Sequence, residues 1–294
     1  MDFSKHKFRC SSLGALMSDS KDGGITAIQL DKIKELQAKA QVKDLTANQT
    51  DELLRLIAKR DNPMAQLGDT CLNKLVEIYI FARFKRRKDI ESKYLDKGLQ
   101  TEEESISLYS EVKQIPYFKN EIRLENEFIS GEPDTHEGPS VRNATNIIDF
   151  KSSWDVFTFF ATKTKKTIDS VYDYQVNGYC DLSGADKGTL AYCLNNTPEH
   201  LIEREINNLR YKLGIIDPDA HPEFLAAAEE IRHNMTFDDI PKPERVLEYT
   251  VRRDFEKIKR VYHRLRLCRI WLNEFAYKLS KTSLINEHEP ASIG

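Results

Sequence analysis

The sequence predicts an α/β domain built around one small sheet, with helices before, within and after it. Three observations carry this. Apolar residues recur at helical spacing over the first third of the chain, the centre breaks into short β-rich runs, and helical spacing returns after Pro198. The 294 residues are ample for a buried core, and 40% apolar with 31% charged residues is an ordinary globular profile.

The elements follow in order. Residues 25–39 (ITAIQLDKIKELQAK) and 45–59 (LTANQTDELLRLIAK) repeat at an offset of 20, each with a Thr three residues before a Gln (Thr26/Gln29, Thr46/Gln49), a capping-box pattern. Two short antiparallel helices are expected over 25–60, as an insertion that packs on the domain. A longer helix follows over 68–87, with Leu72, Leu75, Val76, Tyr79 and Ile80 inward, and another over 97–112 with Leu108 and Val112 inward. Residues 120–134, 145–153 and 187–196 are β-rich and bounded by Gly, Asn, Pro and Ser, as strands are. A mostly helical segment lies between the last two. Residues 199–214 and 222–235 are helical, and Leu247, Tyr249 and Val251 alternate as in a strand. Asp254 can cap a final helix whose core stripe is Phe255, Ile258, Tyr262, Leu265, Leu272 and Phe275.

Composition removes several function classes. Five widely spaced Cys without C-x-x-C argue against a disulfide framework or zinc ribbon and fit a reducing compartment. The N-terminus lacks an apolar core segment, and no apolar run approaches ~18 residues, so secretion and membrane spanning are disfavoured. No H-E-x-x-H, G-x-S-x-G or P-loop pattern occurs. Net charge is −3, but eight Lys or Arg crowd residues 252–269, and RFKRRK (83–88) and KTKK (163–166) add two basic clusters. Each alone reads as a solvated helix face. Together they suit a polyanion bound at one surface.

The chemistry concentrates in residues 130–155. Asp149 and Lys151 are two apart, so on a strand they share a face, with Ile148 and Phe150 on the other. Asp134 ends the preceding β-rich run, and a Pro/Gly/Asn-rich connection would make the two strands hairpin neighbours. Carboxylates at adjacent strand ends repel unless a cation lies between them, and oxygen ligands suit Mg²⁺ or Mn²⁺. Taken on these residues alone, a surface salt bridge is the commoner use of such a pair. His136 nearby reads as a solvated loop residue. Among Trp154, Phe157, Phe159 and Phe160, core packing is the expected use for most, with Trp154 the candidate for base stacking.

The pattern GEPD, fifteen residues from Asp134 to Asp149, then DFK, resembles the PD-(D/E)XK nuclease signature. The surroundings resemble the lambda-exonuclease/YqaJ-type viral recombinase nucleases. Gly98 and Glu102 match an acidic helix, Gln175 and Tyr179 match a Q-x-x-x-Y segment, and Arg9 and Ser12 match an N-terminal phosphate-holding segment. The matches run in family order from about residue 5 to 195. Glu103 and Glu104 adjoin Glu102, and Glu132 stands where some relatives carry a Ser.

The resemblance implies a restriction-endonuclease-like core: a small mixed central sheet flanked by helices. One nuclease domain would span 1–294, with the helical hairpin at 25–60 as insertion and 199–294 as a mainly helical extension. It implies that Asp134, Asp149 and the Phe150 carbonyl bind the catalytic Mg²⁺ (or Mn²⁺), with Glu102 adding a ligand directly or through water. Lys151 would position or activate the water, and Gln175 and Tyr179 would buttress the site or touch DNA. Arg9 and Ser12 would hold the terminal phosphate. The implied activity is 5′-to-3′ exonuclease digestion of linear double-stranded DNA for phage-type recombination, in the cytoplasm of a bacterial or phage-infected cell. A single-strand annealing protein is the implied partner and a homo-oligomeric ring the implied assembly. From charge density, the final helix (Lys257, Arg260, Arg264) and the 83–88 cluster are expected to wall a duplex channel. The rivals are a DNA-binding recombination scaffold without catalysis, an endonuclease of the same fold and, weakly, an iron–sulfur nuclease, for which the Cys residues lack the grouping.

Overall fold

The computed structural model describes residues 1–20, 27–88, 97, 98 and 100–281. The chain divides into two compact units, residues 1–8, 12–88 and 259–294, and residues 9–11 and 89–258.

The first unit is helical. It holds α1 (Leu13–Leu16), α2 (Ala27–Ala40), α3 (Ala47–Asp61) and α4 (Asp69–Phe84). The α2–α3 pair packs as the expected hairpin. Thr46 and Gln49 form the expected reciprocal capping box at α3, while Thr26 lies outside the described residues. In α4 the buried positions are Cys71, Leu75 and Tyr79, one stripe at four-residue spacing. Ile80, expected inward, is instead 37% exposed, because that stripe leaves it on the flank.

The second unit carries the sheets. Its elements are α5 (Glu102–Lys113), β2 (Leu124–Glu125), β3 (Ile129–Gly131), β4 (Thr135–Glu137), β5 (Asn146–Ser152), α6 (Val156–Lys163), α7 (Ser170–Ser183), β6 (Lys187–Cys193), α8 (Glu199–Leu213), α9 (Pro222–Met235) and β7 (Val246–Arg252). The larger sheet is mixed, in the order β4-β5-β6-β7, with β5–β6 parallel and both outer pairs antiparallel. The smaller has the order β1-β3-β2, where β1 is Phe8–Arg9 and Arg9 belongs to this unit. The parallel pair requires a crossover, supplied by α6 and α7. The last helix, α10 (Phe255–Lys281), is capped as expected by Asp254, whose carboxylate accepts the Lys257 backbone N–H at 2.8 Å. Phe255, expected in its core stripe, is 59% exposed, with the Arg253 guanidinium over its ring. Among the described residues, no helix is long and apolar enough to cross a membrane.

Period-2 alternation assigns the two sheet faces. Ile148, Phe150, Ala191 and Cys193 pack with Ile106, Leu108 and Tyr109 of α5. The opposite face receives α7, and two glycines permit its approach. A Cβ on Gly188 would stand 2.3 Å from Val176 Cγ1, and one on Gly131 2.5 Å from the Tyr179 ring. Both strands therefore admit α7 at a distance that any side chain there would prevent.

Candidate active site

The β4–β5 hairpin builds the centre. Thr135 pairs with Ile148 in antiparallel register, so Asp134 lies beside Asp149 across the hairpin. Asp149 is the fourth of seven residues in β5 rather than its last, because β5 continues through Lys151 along its parallel pairing with β6. The Phe150 backbone N–H donates to Asp134 Oδ2 at 2.6 Å, fixing the first carboxylate from the neighbouring strand. Lys151, on the same face as Asp149, forms an ion pair with its Oδ2. Among the described residues, the Lys151 ammonium is the one partner of Oδ2 on this buried carboxylate.

Helix α7 supplies the next layer. Gln175 and Tyr179 are four apart and share a face. Gln175 Nε2 donates to Asp149 Oδ1 at 3.0 Å and to the Tyr179 hydroxyl at 3.1 Å. The amide therefore fixes Asp149 from one side while Lys151 holds it from the other. Glu102 comes from the first turn of α5, which a buried polar belt ties to the sheet. Thr101 Oγ1 bonds Ser152 Oγ at 2.9 Å, and Asn195 Nδ2 donates to Ser105 Oγ at 2.6 Å.

These groups line one cleft of about 720 Å³, together with Trp154, Tyr172, Tyr192 and the small residues Gly98, Ser152 and Ser153. Glu103 and Glu104 are exposed and do not line it, so Glu102 is the one glutamate of the three on the cleft wall. Glu102 is engaged by Lys119 at 3.1 Å. Tyr172, which sequence reasoning passed over, has the Lys151 ammonium 5.1 Å above its ring. Its one signal was its place three residues before Gln175 on the same amphipathic helix.

Electrostatics mark the centre. Burial raises the Asp134 carboxyl well above its ordinary value, and the Asp149 charge raises it further, against the Phe150 N–H and the Lys151 charge. For Lys151, burial acts to lower the ammonium, but the charge and contact of Asp149 outweigh it and hold the group protonated. Among the described residues, no three His, Cys, Asp or Glu side chains gather as a preformed cation site. The acid centre is a pair, with Glu102 on the cleft wall turned to Lys119. The pair fits a hard cation: a buried and a half-buried carboxylate conflict, and a single ammonium, Lys151, offsets Asp149 Oδ2.

The remaining sequence-derived candidates fall elsewhere. Arg9 is exposed and outside the cleft lining, and Ser12 is buried in the first unit. Glu132 pairs with Arg123 at 2.8 Å. His136 lies in β4 rather than a loop, with Nδ1 buried and without a hydrogen-bond partner. Lys257 is paired with Asp173, and Arg260 is exposed. Arg264 is no surface cation. It is 6% exposed and donates to the Ser18 and Gln66 carbonyls while pairing with Asp19, so it braces the first unit. Phe159 is core, but Phe157 is 74% exposed and Phe160 39%, against the expectation that most of these rings pack inward.

By sequence, the chain matches no family profile and no curated protein. By structure it is similar to a phage-related exonuclease from Haemophilus somnus 129PT, with a TM-score of 0.61 and 23% identity over 93% of this chain and 96% of that one. It is also similar to an alkaline exonuclease (LHK-Exo) from Laribacter hongkongensis, with a TM-score of 0.53 and 10% identity over 94% and 93%. The same alkaline exonuclease in complex with dAMP gives a TM-score of 0.52 and 11% identity over 94% and 93%. The chain thus shares the fold of these exonucleases, a restriction-endonuclease-like α/β core.

Proposed function

We propose that this chain is a metal-dependent deoxyribonuclease, an exonuclease that degrades linear double-stranded DNA from a 5′ end in phage-type recombination. One observation carries the reading: Asp134, Asp149 and Lys151 meet on one face of the β4–β5 hairpin, inside a cleft, on a fold shared with exonucleases. Fold alone hosts many functions, and it is this constellation that supports nuclease chemistry.

Asp134, Asp149 and the Phe150 carbonyl would hold Mg²⁺ or Mn²⁺, with Glu102 contributing directly or through water. Such a cation, when bound, polarises a phosphoryl oxygen and favours ionisation of water. The chain's own residues do the rest. Lys151, kept protonated, orients the attacking water and offsets charge on the phosphate. Gln175 holds Asp149 Oδ1, which keeps the carboxylate in one rotamer with Oδ2 toward Lys151. The Tyr179 hydroxyl holds Gln175 in turn. Trp154 offers a ring for stacking on a terminal base. Lys257 and Arg260 would steer the backbone. Annealing-protein partnership, ring assembly and action in the cytoplasm of a bacterial or phage-infected cell belong to the same proposal.

The test is digestion of linear duplex DNA labelled at one 5′ or 3′ end, with Mg²⁺, beside a closed circle and a Lys151→Ala control. Release of mononucleotides from the 5′ end, sparing the circle and absent in the variant, is the expected result. Cutting of the circle would make the protein an endonuclease of the same fold. No Lys151-dependent cutting with either cation would overturn the enzyme reading in favour of a DNA-binding scaffold.

A further inference from the structure

The end of α4 carries a feature that the cleft does not use. From Phe81 to Lys88 the sequence is FARFKRRK, and every residue except Ala82 is exposed. Two rings face outward, Phe81 at 42% and Phe84 at 56% exposure. Five cations surround them: Arg83, Lys85, Arg86, Arg87 and Lys88. The Arg87 guanidinium lies 4.8 Å from the Phe81 ring centre, Lys85 Nζ 5.9 Å from the same ring, and Arg83 5.7 Å from the Phe84 ring. Among the described residues, no carboxylate pairs with any of the five. Lys85 adopts the left-handed conformation that ends the helix (φ 57°), so the last three cations leave the helix axis.

A structural account covers part of this. Cations in a last helical turn offset the helix dipole, and Arg83 with Lys85 would suffice. That leaves three further cations, and it leaves two phenyl rings in water beside them. Exposed rings interleaved with cations match a surface on which bases stack while phosphates are neutralised. Duplex DNA satisfies only the charges, because its bases are already stacked on one another. We propose that the C-terminal turn of α4 with residues 85–88 is a binding surface for single-stranded DNA. The origin of that strand, the one left by digestion, rests on the nuclease reading, whereas the chemistry of the surface does not.

The experiment uses the full chain as its Lys151→Ala variant in EDTA, so that nothing is cut. A fluorescent oligo(dT) and a blunt duplex of equal length are titrated at several salt concentrations, and anisotropy is read. In the Arg83→Gln/Arg86→Gln/Arg87→Gln variant, the log–log salt slope for the single strand should fall by about 2, at ~0.7 for each phosphate that is no longer neutralised. In the Phe81→Leu/Phe84→Leu variant, single-strand affinity should fall about tenfold with the slope kept and duplex affinity unchanged. Equal reductions on duplex and single strand would overturn the proposal in favour of a duplex-binding surface. A reduction with the arginine variant alone would overturn it in favour of phosphate binding without stacking. Unchanged binding in both would overturn it outright. None of these results bears on cleavage, which the end-labelled digestion decides separately.

Discussion

Replacing Lys97 with Met should change how stability depends on pH, by an amount the structure fixes. Lys97 is 1% exposed, and its ammonium donates to the Trp154 carbonyl at 2.9 Å, lying 5.2 Å from the Phe237 ring. Burial lowers its pKa from 10.5 to about 7, against the charges of Asp155 and Glu104, which raise it. At ~1.36 kcal/mol per pKa unit, carrying the proton costs the folded state up to about 5 kcal/mol. The sign follows from proton counting. Between pH 7 and 10.5 the unfolded chain binds more protons at this residue than the native one, so stability rises with pH across that window. Below pH 7 the cost is carried in full. Wild type should therefore gain about 2 kcal/mol relative to Lys97→Met between pH 7 and pH 9. Trp154 and Trp271 are the chain's two tryptophans, so urea unfolding followed by Trp154 fluorescence in a Trp271→Phe background reads this unit. Taking the difference between the two proteins cancels every titration that is not coupled to Lys97. Parallel stability–pH curves would refute the reasoning, since they would mean that Lys97 titrates alike in both states.

Two further outcomes follow from the acid pair. The raised Asp134 carboxyl means that the cation-free protein loses stability as pH rises from the ordinary value of 3.8 toward the folded one, because the native state holds the proton longer. Asp134→Asn, which keeps an oxygen for the Phe150 N–H, should therefore be more stable than wild type by about 1–3 kcal/mol at pH 8 without divalent cation. It should also lose the rise in melting temperature that Mn²⁺ gives wild type, and thermal scans with and without Mn²⁺ check both. Gln175→Leu removes the amide from Asp149 Oδ1 and Tyr179 without emptying the space, and should lower cleavage about 10–100-fold. A fall in kcat recovered in part by raised Mn²⁺ would identify it as a positioning residue, and unchanged kinetics would exclude the role.

Much of the architecture was legible because its causes are local. Thr46 and Gln49 cap α3, Asp254 caps α10, and Asp149 and Lys151 share a face, each through residues two to three positions apart. The pleat and the helical turn fix those relations wherever the element sits. Exposure was less legible. Arg264 reads as one more surface cation in a basic stretch, yet Ser18, Asp19 and Gln66 enclose it. Phe157 reads as core from its apolar neighbours, yet it points to solvent.

The order of helices and strands and the face that Asp149 and Lys151 share follow from periodicity and caps, which act within a few residues, whereas the candidate set around that pair came from the family resemblance. Which glutamate of 102–104 lines the cleft, the place of Tyr172 under Lys151 and the reach of Gln175 to Asp149 emerge only when the elements pack. The last of these depends on Gly131 and Gly188, on two strands of different sheets, leaving room for α7 against both. Packing of that kind depends on what each surface meets after folding, and no local periodicity encodes the neighbour.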